Sequence, residues 1–143
     1  MKLTKLFVDI ISCTVGSFSL VAAKGFEVGQ VWMYETRDKD QGSTLTIVKI
    51  DNMKEGAIIH ISIEDVNIHK FVSGEKFAES ISHLPINEKS FRTSLIKLIG
   101  KTDKLPEYQE GYGIWKKEFN TGKAGVFDIS VAQCVEYVEK TLN

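Results

Sequence analysis

The sequence predicts an α+β domain: an antiparallel β-meander of about five strands packed against about three helices. Three observations carry the prediction. Ile59, Ile61 and Ile63 alternate with Ile58, His60, Ser62 and Glu64, a period of two. Short polar turns separate the first candidate strands, which joins them antiparallel. After Asn87 the apolar period lengthens toward that of a helix. The chain has 143 residues, 43% apolar and 26% charged, with two prolines and two cysteines, the profile of one ordinary globular domain.

The elements follow in order. Val28 to Arg37 is rich in β-branched and aromatic residues, and Asp38 to Gly42 is a polar turn. Ser43 to Asp51 is the second strand and Asn52 to Gly56 the next turn. Ala57 to Glu64 is the third strand. Val66 to Val72 is the fourth, closed by Ser73-Gly74, and Glu75 to Leu84 shows no period that assigns it. Asn87 caps a helix with Phe91, Leu95, Leu98 and Ile99 on one stripe, stopped by Gly100. Pro106 and Glu107 open a second helix, with Tyr108, Tyr112, Trp115 and Phe119 on one face and Gly122 as terminator. Gly111 and Gly113 weaken it by about 1 kcal/mol each against Ala, so packing has to supply what propensity does not. Val126 to Ile129 reads as a short fifth strand. Ser130 caps a last helix whose Val131, Val135, Val138 and Leu142 face inward.

Residues 1–23 read as a secretory signal, with Lys2 and Lys5 at the start, an apolar stretch from Leu6 to Ala22, and Val21-Ala22-Ala23 for cleavage. Asp9 opposes this reading, because a carboxylate in the apolar stretch costs about 2.5–3.5 kcal/mol on insertion. The mature domain would then span residues 24–143. On cleavage basic residues fall from 18 to 16 and acidic ones from 19 to 18, a net charge of -2, and Cys134 is left as the single cysteine. The expected compartment is the bacterial periplasm or the exterior, with no intramolecular disulfide and no membrane contact after cleavage. Lysines and arginines form no stripe, so the counterion-release term that drives nucleic-acid binding is small.

The residues with ligand chemistry are His60, Glu64, Asp65, His69 and His83. On a strand His60 and Glu64 lie roughly 13 Å apart, whereas zinc ligands sit about 2 Å from the ion, so the two cannot chelate together. They are read as solvent-face residues, with a His60–His69 encounter across a hairpin left open by the register. No metal and no cofactor is expected. Nucleophilic catalysis lacks a signature: there is no G-x-S-x-G elbow, and Cys134 falls about 60° from the apolar stripe of its helix, where a thiol packs as a small hydrophobe. Thr121 to Gly125 lacks the earlier glycine and the hydroxyl of a phosphate loop and is read as helix termination. Asp38 with Asp40 is read as a solvated turn.

The speculative binding residues are aromatic: Trp32 and Tyr34 on one face of the first strand, and Tyr112 and Trp115 on the second helix. Rigid aromatics carry interfaces when exposed and form cores when covered. The run Gly29 to Arg37 (GQVWMYETR), Ser43 to Ile47 and the later Tyr112-x-x-Trp115 resemble a family of small uncharacterised bacterial proteins. The likeness spans most of Gly25 to Asn143 and implies a shared fold, with no activity or site residue to carry over. The functional expectation is a non-catalytic periplasmic binding protein that recognises a protein partner, an immunity protein against a secreted toxin being its most concrete form. The alternative is a small-molecule binding domain with an apolar pocket lined by Trp32, Tyr34 or Trp115.

Overall fold

A computed structural model describes residues 25–143, and the expected leader lies outside the described residues. The domain is α+β, with an antiparallel sheet of five strands in the order β4-β3-β2-β1-β5. The strands are β1 (Gln30–Tyr34), β2 (Thr44–Met53), β3 (Gly56–His69), β4 (Lys76–Asn87) and β5 (Leu95–Lys101). Three helices, α1 (Glu88–Ser94), α2 (Gln109–Asn120) and α3 (Val131–Thr141), complete it. The first four strands form the expected meander; β5 then returns to the far side of β1.

Ile59, Ile61 and Ile63 are the inward teeth of β3, fully buried with Leu45, Ile47 and Ile86 beneath Phe91 of α1 and Val131, Cys134 and Val135 of α3. The expected break after Glu64 does not occur. Asp65 takes a left-handed φ of 60°, and the β3–β4 register shifts between Glu64 and Ile68. Across that bulge four steps along β3 match two along β4, the inward face passes from odd to even positions, and Val66 and Ile68 join the same core. The separate fourth strand expected at Val66 to Val72 is therefore the continuation of the third.

The segment Glu75 to Leu84, unassigned from sequence, supplies most of β4, an edge strand that tolerates Pro85. Helix α1 begins where expected, with the Asn87 side chain accepting from the Ser90 N–H at 2.8 Å, but it ends at Ser94 and not at Gly100. Leu95 to Lys101 is β5. Two register shifts against β1 set Leu95, Leu98 and Lys101 opposite Tyr34, Trp32 and Gln30. A doubly bulged strand thus repeats every three residues and imitates one face of a helix. The expected strand at Val126 to Ile129 is a single parallel bridge from Phe127 to Ile86. Ser130 forms a full capping box with Gln133, as the sequence suggests, while Leu142 lies past the end of α3 and is exposed.

Candidate functional site

Helix α2 covers the sheet face opposite the isoleucine teeth. Its stripe runs as predicted, with Tyr108, Tyr112, Trp115 and Phe119 in successive ring contacts. The site explains why Gly111, unfavourable in a helix, sits in the first turn of α2: a Cβ there would stand 3.0 Å from the Cβ of His83. Removing the Cβ lets the helix close on β4. Gly113 faces open space and has no such reason.

Beneath the helix His60 is completely buried, which corrects the solvent-face expectation. It is covered by Tyr112 and Trp115, each with its ring centre 4.9 Å away in an edge-on contact. The partner of His60 is not His69, which lies further along the same strand, but His83 of β4. His60 Nδ1 and His83 Nε2 are 2.9 Å apart, and the ring centres are 5.1 Å apart with planes at 16°. The difference between the two distances is close to two imidazole ring radii, so the contact is in line, edge to edge. On the other side His60 Nε2 meets Asp51 Oδ2 at 3.0 Å, and the Tyr112 hydroxyl donates to the same oxygen at 2.9 Å.

Proton positions follow from the chemistry of the partners. An ionised Asp51 only accepts, so His60 carries its proton on Nε2 and its Nδ1 must accept from His83 Nε2–H. His83 Nδ1 is then left as a lone pair. Burial drives the His83 ring down to about 4, with the neighbouring His60 adding to the effect. Burial also lowers His60, and the Asp51 bond works against it. Burial would raise Asp51, but the bonds from Tyr112 and His60 outweigh it and hold the carboxyl below its ordinary value. Tyr112 is pushed up to about 12 by burial and by the carboxylate it bonds. Near neutral pH the cluster is therefore one anion, two neutral imidazoles and a phenol, with Lys49 and Lys116 alongside.

The arrangement can hold and relay one proton between the imidazoles. It is poorly shaped for an ion: the His83 N–H is aimed in line at the His60 lone pair across 2.9 Å, and an ion in place of that proton would sit about 1.5 Å from each nitrogen, short of the roughly 2.0–2.1 Å that zinc takes. Among the described residues no group of three or more His, Cys, Asp or Glu is placed to hold a metal.

The four aromatic residues singled out from sequence do not share a surface. Tyr34 is buried on the isoleucine face, its hydroxyl bonded to Ser43 at 2.8 Å, and Trp32 is half-buried there, edge-on to Phe26. Trp115 is buried on the opposite face, its indole N–H donating to the Gly125 carbonyl at 2.8 Å, and Tyr112 is half-buried beside it. The sheet separates the two pairs. Burial pushes the Cys134 thiol up to about 12, and Asp128 adds to the rise.

A second charged cluster went unread in the sequence. Asp40, expected in a solvated turn, is fully buried in a 3-10 turn, Asp38–Asp40, and bonded to Arg37 at 2.5 Å. Arg37 also reaches Glu139 at 2.7 Å, and Glu139 takes Lys39 and the His69 backbone N–H at 2.9 and 2.7 Å. Burial would raise Glu139; these donors reverse that and bring it down to about 2. A signal was present, since Glu139 continues the Val131, Val135 stripe of α3, and a carboxylate on an apolar face needs a buried cation.

Comparisons of the chain with protein-family models, with curated proteins and with solved structures find no match.

Proposed function

We propose that the chain is a non-catalytic binding protein of the bacterial periplasm that recognises a protein partner, an immunity protein against a secreted toxin being its most concrete form. The observation that carries the reading is the outer strand β5. Its two bulges leave Ile96 and Ile99 without partners on β1, and both are about half exposed. Beside them Met33 of β1, paired with Lys97, is exposed as well. Bulges re-aim side chains, and here they present apolar anchors at a sheet edge rimmed by Lys97 and Lys101. The same bulges and lysines hinder pairing of the strand backbone with another chain. The partner is accordingly met through side chains and not by strand addition. The polar residues with catalytic chemistry are, by contrast, bonded to one another beneath α2.

The test compares the mature domain with an Ile96→Asp/Ile99→Asp variant in pull-downs from periplasmic extract, read by quantitative mass spectrometry. The reading expects one protein recovered in stoichiometric amount by the wild type and lost from the variant. Recovery of no such protein, or equal recovery by both, refutes it. Both isoleucines are exposed, so circular dichroism of the variant is expected to match the wild type.

A further inference from the structure

Helix α2 is a lid held over the histidine pair by few bonds. Among the described residues its side chains make one hydrogen bond to the sheet, from the Tyr112 hydroxyl to Asp51, and Trp115 is its single buried side chain. Tyr108 at its N-terminus supplies no side-chain cap. Gly111 is required by the close approach to His83, but Gly113 meets open space, where it weakens the helix and serves no packing contact. A helix of 12 residues built in this way is marginal by itself, so its order depends on what lies beneath it.

We infer that His60 and His83 form an acid-operated latch whose protonation releases α2 from the sheet. The contact between the rings, 2.9 Å from nitrogen to nitrogen, holds one proton, because a second would set two N–H groups against each other. Wherever the shared proton then sits, an added one rests on His83 Nδ1, which has no hydrogen-bond partner among the described residues. That nitrogen lies 3.7 Å from where a Gly111 Cβ would stand, against the first turn of α2. The N–H groups of a first turn lack partners within the helix and its dipole end is positive, so a cation there is disfavoured. The other groups around the pair do not offset this. Lys49 of β2 and Lys116 of α2 are positive. Asp51 of β2 already accepts from His60 and Tyr112. Tyr108 and Tyr112 of α2 are phenols, and Glu110, the acidic residue of that first turn, is exposed. Burial, which holds His83 down to about 4, acts in the same direction. Lifting α2 admits water to the imidazolium and takes the helix end away from it, while β3 and β4 stay paired through their backbones.

The latch lies apart from β5, and its test uses none of the residues of the partner test. Native-state hydrogen exchange, followed amide by amide by NMR, is the measurement. At pH 7 the hydrogen-bonded amides of α2 are expected to exchange through an opening that low urea leaves unchanged, and to be less protected than those of β3, which open with the whole fold. From pH 7 to pH 4 the protection of α2, corrected for the intrinsic exchange rate, is expected to fall at least about tenfold, since the released state takes up a proton that the docked state resists. His83→Gln, which keeps an N–H for His60 and cannot titrate, is expected to retain most of that protection. Wild-type α2 amides as protected as those of β3, or unchanged between pH 7 and pH 4, overturn the inference without recourse to the variant. An equal fall in His83→Gln and wild type overturns it as well.

Discussion

Lowering the pH from 6.5 to 4 is expected to remove about 2–3 kcal/mol of stability through His83 alone. The ring titrates at about 4 in the folded chain and at 6.5 in the unfolded one. Between those values the unfolded chain binds a proton that the folded chain refuses, so stability falls as the pH falls. Above 6.5 both states leave the ring neutral and the contribution is complete. The whole gap corresponds to about 3.4 kcal/mol, and water at the half-buried ring screens part of it. The assay is urea unfolding at pH 7, 5.5 and 4, followed by the fluorescence of Trp115, which packs against the cluster. His83→Gln keeps an N–H donor for His60 Nδ1 but cannot titrate. At pH 7 the variant is expected to be the less stable protein, because Gln fills less of the space under α2. By pH 4 the difference is expected to shrink by about 2–3 kcal/mol. His60, also lowered by burial, keeps a residual slope in both proteins. Asp51, held below its ordinary value, adds a small loss of stability at the acid end of the window in both proteins. Parallel stability curves for the two proteins, or a His83 NMR titration centred at or above 6.5, would refute the reasoning.

Glu139→Gln is expected to cost about 1.5–3 kcal/mol at pH 7, because Arg37 and Lys39 lose a charged acceptor while Arg37 keeps the buried Asp40, and denaturant unfolding measures it. The stability supplied by that carboxylate is present above about 4.5 and is lost as the pH falls toward about 2, so wild type and variant are expected to converge in acid. Gly113→Ala, whose Cβ meets open space, is expected to stabilise the protein by about 0.5–1 kcal/mol. Gly111→Ala is expected to lower the melting temperature, since its Cβ presses on His83; equal shifts for the two would contradict the packing argument. Cys134 is expected to resist a thiol reagent under native conditions and to react in full on unfolding, as burial and a pKa of about 12 require.

The fold class was legible because the alternation at Ile59, Ile61 and Ile63 is local, as are the Asn87 and Ser130 caps and the aromatic stripe of α2. Such signals depend on neighbours within a few residues, so the sequence carries them whole. What failed were the places where one residue changes the count. Asp65 in a left-handed conformation turned one strand into what reads as two, and the bulges at Ile96 and Ile99 made a strand read as helix. A bulge is settled by the strand opposite, and that strand is distant in sequence. The candidate site divides in the same way. His60 was recognised as a residue with chemistry, but its environment depends on α2, about 50 residues later in the chain, closing over it, and its partners Asp51 and His83 come from two other strands. By itself the sequence determined which residues are apolar, which turn and which cap. Only the tertiary structure decided that both faces of the sheet are covered, because burial and proton sharing are properties of segments brought together, and no spacing along the chain encodes that meeting.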